Sequence, residues 1–325
     1  MEVSMKRMAA YVFVLFALGV FASAPAAQAW GCKGHQTVAY LAEKHLTPAA
    51  QQMVQSLLND NPIDPALKRW CNSAGLDEMA NSATWADDYR DKDKSTGDWH
   101  FIDIPLDAKQ GQVQPFCGAK GCVTQAIAQQ LAILKNKNES GAKRAMALRF
   151  IIHFVGDLHQ PLHATTNGDR GGNCVPVKYF GRNPHDKNNS YTPNLHHVWD
   201  TEIVESDMQS PDPEVFADAL DAQYADSFAE WQQGGMQLDA WAWDGQQHAV
   251  DTAYGALAKK IAPEPANATV NTCADNNNIG QRMFHKHIVI GTAYQEQAIP
   301  VVEERLAQAG IRLAMILNDA AKTNP

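Results

Sequence analysis

A chain of 325 residues, 45% apolar and 19% charged, with 21 glycines, 16 prolines and no repetitive stretch, is an ordinary globular sequence, which excludes disordered, collagen-like and coiled-coil architectures. Its formal net charge of -9 excludes a general electrostatic attraction for polyphosphates, so any nucleic-acid binding must draw on local positive charge or on metal ions.

The first expected element is a leader. Lys6 and Arg7 precede an apolar run from Ala9 to Ala22, and the small-residue sequence Ala27-Gln28-Ala29 follows as a cleavage site. Residues 1–29 are therefore expected to be a secretory signal peptide, leaving residues 30–325 as a single domain that begins at Trp30. Glu2, Lys6 and Arg7 leave with the leader, which takes the mature net charge to -10. No later stretch is long and apolar enough to span a bilayer, so the expected product is secreted or periplasmic and has no membrane anchor.

Helical periodicity dominates the remainder. Thr47 and Pro48 form a cap and a first-turn proline ahead of an amphipathic run, and the segments 123–137, 142–158, 213–232, 236–261 and 282–317 carry apolar residues at three-to-four spacing. Strand patterning is confined to short runs, the best at 175–180. The stretches 87–122 and 164–193 read as long loops, a length that points to function. The expected fold is all-α, a single compact multi-helix domain with long loops and few short strands. Six cysteines in an exported chain favour disulfides. Cys117 and Cys122 bracket a Gly-rich tetrapeptide and are expected to bridge, while Cys32, Cys71, Cys174 and Cys273 leave three pairings open.

The chemistry-bearing residues cluster in a few motifs. His153 and Asp157 are four apart on a predicted helix, about 40° in azimuth from one another, so both project from one face and can hold one ion. His159 falls nearly opposite and reads as a packing histidine. His196 and Asp200 repeat the arrangement, and His163 adds a third imidazole. Imidazole with carboxylate is the ligand set of catalytic zinc sites, which keep an open position. Asp87 is followed three residues on by Arg90, and Trp99-His100-Phe101-Ile102-Asp103 places a histidine beside an aromatic residue. A new amino terminus at Trp30 can chelate through its amine and carbonyl, with His35 nearby. His45, His185, His197, His248, His285 and His287 have no such pattern and read as surface or packing histidines.

Together these pieces resemble the secreted zinc-dependent type I nucleases, single-strand-preferring endonucleases and 3'-nucleotidases related to bacterial zinc phospholipases C. The matching motifs are the N-terminal Trp with Gly-His, Trp-Ala-Asp-x-x-Arg at 85–90, His-Phe-Ile-Asp at 100–103 and His-Phe-x-Gly-Asp-x-x-Gln-Pro-Leu-His at 153–163. Asp-Arg-Gly-Gly-Asn at 169–173, Asn-Leu-His-x-x-Trp-Asp at 194–200 and Gly-Ile-Arg-Leu-Ala at 310–314 complete the family's order across nearly the whole mature chain. The resemblance implies an all-α fold around a trinuclear zinc cluster. One ion is implied at Asp87, His100, His153 and Asp157; its neighbour at the Trp30 amine and carbonyl, His35 and the shared Asp157; the third at His163, His196 and Asp200.

Catalytic roles are implied for Asp87, Arg90 and Asp157, with Arg90 beside the scissile phosphate and Phe101 and Asp103 forming a nucleobase pocket. The implied reaction is hydrolysis of RNA and single-stranded DNA to 5'-phosphorylated products, with 3'-nucleotides as further substrates. A zinc-bridging hydroxide would attack phosphorus in line, without a protein nucleophile and without an obligate protein partner. Three zinc ions would also supply the positive charge that an acidic chain lacks. One alternative is a zinc phospholipase C, against which Asp200 stands where those enzymes carry glutamate and His35 lies only five residues after Trp30. The other is a non-catalytic zinc-sequestering exported protein, which would have no use for Arg90 or Phe101.

Overall fold

The computed structural model describes residues 30–68, 71, 75–188, 190–257, 260–261 and 272–322; the expected leader, residues 1–29, lies outside them. Helices α1 (Cys32–Lys44) and α2 (Pro48–Asp60) come first, and α2 starts as its sequence dictates, with the Ala50 N–H donating to the Thr47 hydroxyl and Pro48 in the first turn. The short helices α3 (Glu78–Ser82) and α4 (Trp85–Lys92) follow, α3 capped by the Asp77 carboxylate. α5 (Val123–Lys135) and α6 (Gly141–His159) pack side by side.

Next come β1 (Val177–Tyr179), β2 (His185–Lys187), β3 (Ser190–Thr192) and α7 (Leu195–His197), which runs through a π-type turn into α8 (Ile203–Asp207). The chain continues with α9 (Pro213–Tyr224), α10 (Phe228–Trp231), α11 (Leu238–His248), α12 (Asp275–Phe284), β4 (Ile288–Ile290) and α13 (Thr292–Lys322). β1 pairs in parallel with β4, and β2 pairs antiparallel with β3. The expected all-α fold is the observed one.

α6 is the centre of the molecule. Every side chain from Ala147 to His159 is buried, so this helix is covered on all sides, by α2, α4, α5, α11 and α13. His153 and Asp157 therefore lie in the interior, where an ionisable pair is costly unless it is compensated.

Some expected boundaries are corrected. The stretch 87–122 is not all loop: α4 reaches Lys92, and a 3-10 turn over Lys94–His100 follows, started by Asp93, whose carboxylate accepts from the Ser95 N–H. The segment 282–317 is three elements, because α12 stops at Phe284 and β4 pairs with β1 before α13 begins. Ile288, Val289 and Ile290 alternate buried, exposed, buried, a strand pattern that three residues cannot distinguish from helical spacing. The segment 213–232 is interrupted between α9 and α10, and 236–261 passes from α11 into a π-type turn that ends at Gly255.

Cys117 bridges Cys122 as expected, and the open pairings resolve as Cys32–Cys71 and Cys174–Cys273. No helix among the described residues is long and apolar enough to cross a membrane.

Candidate metal centre

Three segments converge on the buried face of α6. α1 delivers His35, whose ring stacks on that of His153 with centroids 4.0 Å apart and planes 15° apart. The stack depends on Gly156: a Cβ there would lie 2.8 Å from His35 Nδ1. α4 delivers Asp87, and the 3-10 turn after it delivers His100. His100 Nδ1 lies 3.0 Å from Asp157 Oδ2 and 3.1 Å from His153 Nε2, and His153 Nε2 is 3.2 Å from the same carboxylate oxygen. The other oxygen, Asp157 Oδ1, faces His35 Nε2 at 3.3 Å. Asp157 thus turns one oxygen to each of two neighbouring groups. Asp87 stands slightly back, 3.8 Å from His100 and 3.9 Å from His153, and is held by Arg90 at 3.1 Å.

Electrostatics in this half are strongly biased. Burial lowers the His100 pKa to about 4, and burial with the neighbouring His153 lowers that of His35. His153 is also penalised by burial, but Asp157 and Asp87 outweigh this and raise it to about 9. Asp157 resists burial through His153 and the surrounding imidazole contacts, which hold its carboxyl well below the usual range.

The second half comprises His163, His196 and Asp200. His163 Nδ1–H donates to the His100 carbonyl at 2.8 Å, and the Ile102 N–H donates back to the His163 carbonyl, which fastens the two halves together. His196 Nδ1–H donates to the Gly171 carbonyl at 2.7 Å. That carbonyl is presented by the loop 169–173, where the Asp169 carboxylate accepts from the Gly172 N–H and the Tyr254 hydroxyl. Gly171 sits at φ +57°, and a Cβ there would meet the Leu162 carbonyl oxygen at 2.3 Å, so only glycine fits.

With both Nδ1 protons given to carbonyls, His163 Nε2 and His196 Nε2 face each other 3.0 Å apart, lone pair to lone pair. Burial lowers the pKa of both imidazoles, that of His196 steeply, so neither takes a second proton readily. Asp200 Oδ2 lies 3.3 Å from His196 Nε2 and has no hydrogen-bond partner, and burial pushes the Asp200 carboxyl well above its usual range. Two opposed lone pairs and a bare carboxylate oxygen, all buried, are the environment that a cation satisfies. Among the described residues, His and Asp atoms form three groups able to hold an ion: His35, His153 and Asp157; Asp87, His100 and His153; His163, His196 and Asp200. The chemistry of these imidazole and carboxylate groups fits the binding of metal ions.

Trp30 is fully buried, and the Gly31 N–H donates to the Asp200 carbonyl at 2.6 Å, so the start of the described chain runs between the two halves. Phe101 is half-buried, its carbonyl accepting from the Val123 N–H. Asp103 is solvent-accessible but set among protein groups, and that desolvation, reinforced by Asp98, pushes its carboxyl up to about 6 against the pull of Arg170. Arg170 also feels Arg90, which puts a second arginine at this edge. His159 is confirmed as a packing residue, donating from Nδ1 to Val155 and accepting at Nε2 from Arg312.

Nothing in the sequence singles out Gln160 by itself, yet its amide donates to Asp200 Oδ1 at 2.6 Å and its oxygen accepts from the Leu162 N–H. Arg170 and Tyr254 are likewise invisible as isolated residues, because their roles depend on the folded path of the 169–173 loop.

A family model described as S1/P1 Nuclease matches residues 30–322. The chain is 31% identical over 297 residues to Nuclease S1 of Aspergillus oryzae, an alignment covering 89% of this chain and 91% of that protein. It is 29% identical over 306 residues to Nuclease P1 of Penicillium citrinum, covering 89% and 97%, and 27% identical over 327 residues to Endonuclease 2 of Arabidopsis thaliana, covering 94% and 96%.

Proposed function

The chain belongs to the S1/P1 nuclease family and is a nuclease, and from that premise we propose that it is an exported zinc-dependent phosphodiesterase acting on RNA and single-stranded DNA, with 3'-nucleotidase activity and 5'-phosphorylated products. In this reading residues 1–29 are removed as a signal peptide and residues 30–325 form the exported domain. Asp87, His100, His153 and Asp157 hold one zinc, Trp30, His35 and Asp157 a second, and His163, His196 and Asp200 a third.

The observation that carries the reading is the pair of opposed Nε2 lone pairs of His163 and His196 beside the bare Asp200 oxygen. Zinc bound to such nitrogen and oxygen ligands supplies Lewis acidity and brings the pKa of a bound water to near neutrality. The chain's own residues do the rest. Asp157, with one oxygen toward His35 and the other toward His100 and His153, has the geometry of a carboxylate shared between adjacent positions. Arg90, anchored on Asp87 and partly open to solvent, can meet the charge that develops on a phosphate oxygen. Phe101 offers a ring face to an unstacked base, which favours single strands, and the Asp103 carboxylate accepts from the base edge once ionised.

Elemental analysis of the mature protein, with hydrolysis of single-stranded DNA, RNA and short-chain lecithin followed before and after chelation, tests the proposal. Zinc at close to three ions per chain with chelator-sensitive nucleic-acid cleavage is the expected result. Lecithin cleavage alone, or zinc without turnover, would overturn it.

A further inference from the structure

His163, His196 and Asp200 come from separate stretches of the chain, yet one short element stands behind all of them. Among the described residues two helical segments widen into π-type turns. In Val198–Glu202 the Ile203 N–H reaches back five residues to the Val198 carbonyl, and in Ala249–Tyr254 the Gly255 N–H reaches back to that of Val250. Such turns are rare and recur at functional sites. The first carries Asp200 itself. The second carries none of the His or Asp groups, but it packs against the turn Pro161–His163 that delivers His163.

Two phenols run from the second turn to the remaining two groups. The Tyr254 hydroxyl donates to Asp169 Oδ1 at 2.7 Å, and the same oxygen accepts from the Gly172 N–H at 2.9 Å. The loop fixed in this way presents the Gly171 carbonyl to His196 Nδ1. The Tyr294 hydroxyl, in the first turn of α13, donates to the Ala253 carbonyl at 2.7 Å and accepts from Trp199 Nε1–H at 2.8 Å. That contact ties the second π-type turn to the residue just before Asp200. Trp199, Tyr254 and Asp169 are fully buried. Burial pushes both phenols above their ordinary range, so both stay protonated and able to donate. Deleting either hydroxyl leaves buried polar groups without a partner, a cost that shifts the backbone carrying them. By contrast, His35, Asp87, His100, His153 and Asp157 are held by contacts to one another, to the Ala83 carbonyl and to Arg90.

We propose that the π-type turn 249–254 is a brace for the His163, His196 and Asp200 group alone. Tyr254 is the positioning residue for His196, and Tyr294, acting through Trp199, is the positioning residue for Asp200. Neither phenol is a ligand. The brace rests on the three-zinc reading for its use: it keeps the third set of ligands at the spacing one ion needs, separately from the sets beside it.

Tyr254→Phe and Tyr294→Phe each remove one hydroxyl and keep the ring. The mature protein is titrated with a weak chelator and its zinc followed by elemental analysis. In either variant about one zinc per chain is expected to bind about tenfold more weakly, with the remaining zinc held as in the wild type. Tyr179→Phe is the control, because that hydroxyl on β1 serves Gln295, and it should release zinc as the wild type does. A phenol that only filled space would lower the melting temperature with zinc release unchanged, or loosen every ion alike, and either result overturns the proposal. Each variant decides its own arm, should the other not fold. A second readout does not depend on metal. Solvent exchange of the His196 Nδ1–H, followed by nitrogen-15 NMR of the protein as purified, is expected to be about tenfold faster in Tyr254→Phe and unaltered in Tyr179→Phe. Wild-type exchange in folded Tyr254→Phe overturns the assignment. A wild-type protein without zinc would sink the three-zinc reading, while the exchange rates still decide the brace.

Discussion

Gln160 lies between the two halves of the cluster both in sequence and in space. Its amide nitrogen holds Asp200 Oδ1, so the other oxygen is the one left facing His196, and its own orientation is locked by the Leu162 N–H. Outer contacts of this kind fix ligand orientation and typically contribute 10–100-fold in metal affinity. On the proposed three-zinc reading, Gln160→Ala is therefore expected to lose about one zinc per chain selectively on dialysis against a weak chelator, with the melting profile otherwise close to wild type. Gln160→Glu should be worse, because it sets a second carboxylate against Asp200. Unchanged zinc retention in both variants would reduce Gln160 to a turn cap. The pattern His-x-x-x-Asp was legible because helical geometry alone aligns those pairs; Gln160 was not, because its partner lies 40 residues away and only the folded loop brings it near.

At the scale of elements, the meeting of α1 with α6 sets the cluster's geometry. His35 reaches His153 only because Gly156 leaves room. Gly156→Ala adds a methyl that must displace His35, and overpacking of this kind costs about 1–3 kcal/mol. A lowered melting temperature together with reduced zinc content is expected, measured by calorimetry and elemental analysis. If α1 gives way without loss of zinc, the close contact is not what holds His35 in place.

α2 was legible from Thr47 and Pro48, since a cap and a first-turn proline act locally. The break of 282–317 into α12, β4 and α13 was not, because β4 exists only by pairing with β1, more than a hundred residues earlier. The Cys117–Cys122 bridge follows from proximity in sequence, whereas Cys174–Cys273 spans 99 residues and depends on the fold. The convergence of the His/Asp groups was more legible than the elements around them, since their residue types are constrained by chemistry while helix ends are set by packing.

For the whole molecule, excess acidity has consequences at helix junctions as well as at the surface. Glu43 on α1 is half-buried beside Asp77 and Glu214, and burial together with the Asp77 carboxylate raises its pKa to about 7. Asp207 at the end of α8 is raised to about 6 by burial and Glu303 on α13. A carboxyl whose folded pKa lies above its unfolded value of 4.5 binds a proton more tightly in the folded state. Below pH 4.5 both states hold that proton and Glu43 is neutral in its effect on folding. As pH rises from 4.5 to 7 the unfolded state ionises first, and stability falls; above 7 the penalty is fully present. Glu43→Gln removes the charge without changing shape. It is expected to raise stability by about 1 kcal/mol at pH 8, after allowing for solvent screening of a half-exposed group, and by nothing measurable at pH 4. Urea unfolding at the two pH values reads the difference directly. An equal gain at both would mean that the glutamine improves packing and that the carboxylate repulsion at the α1–α3–α9 junction is already relieved by water.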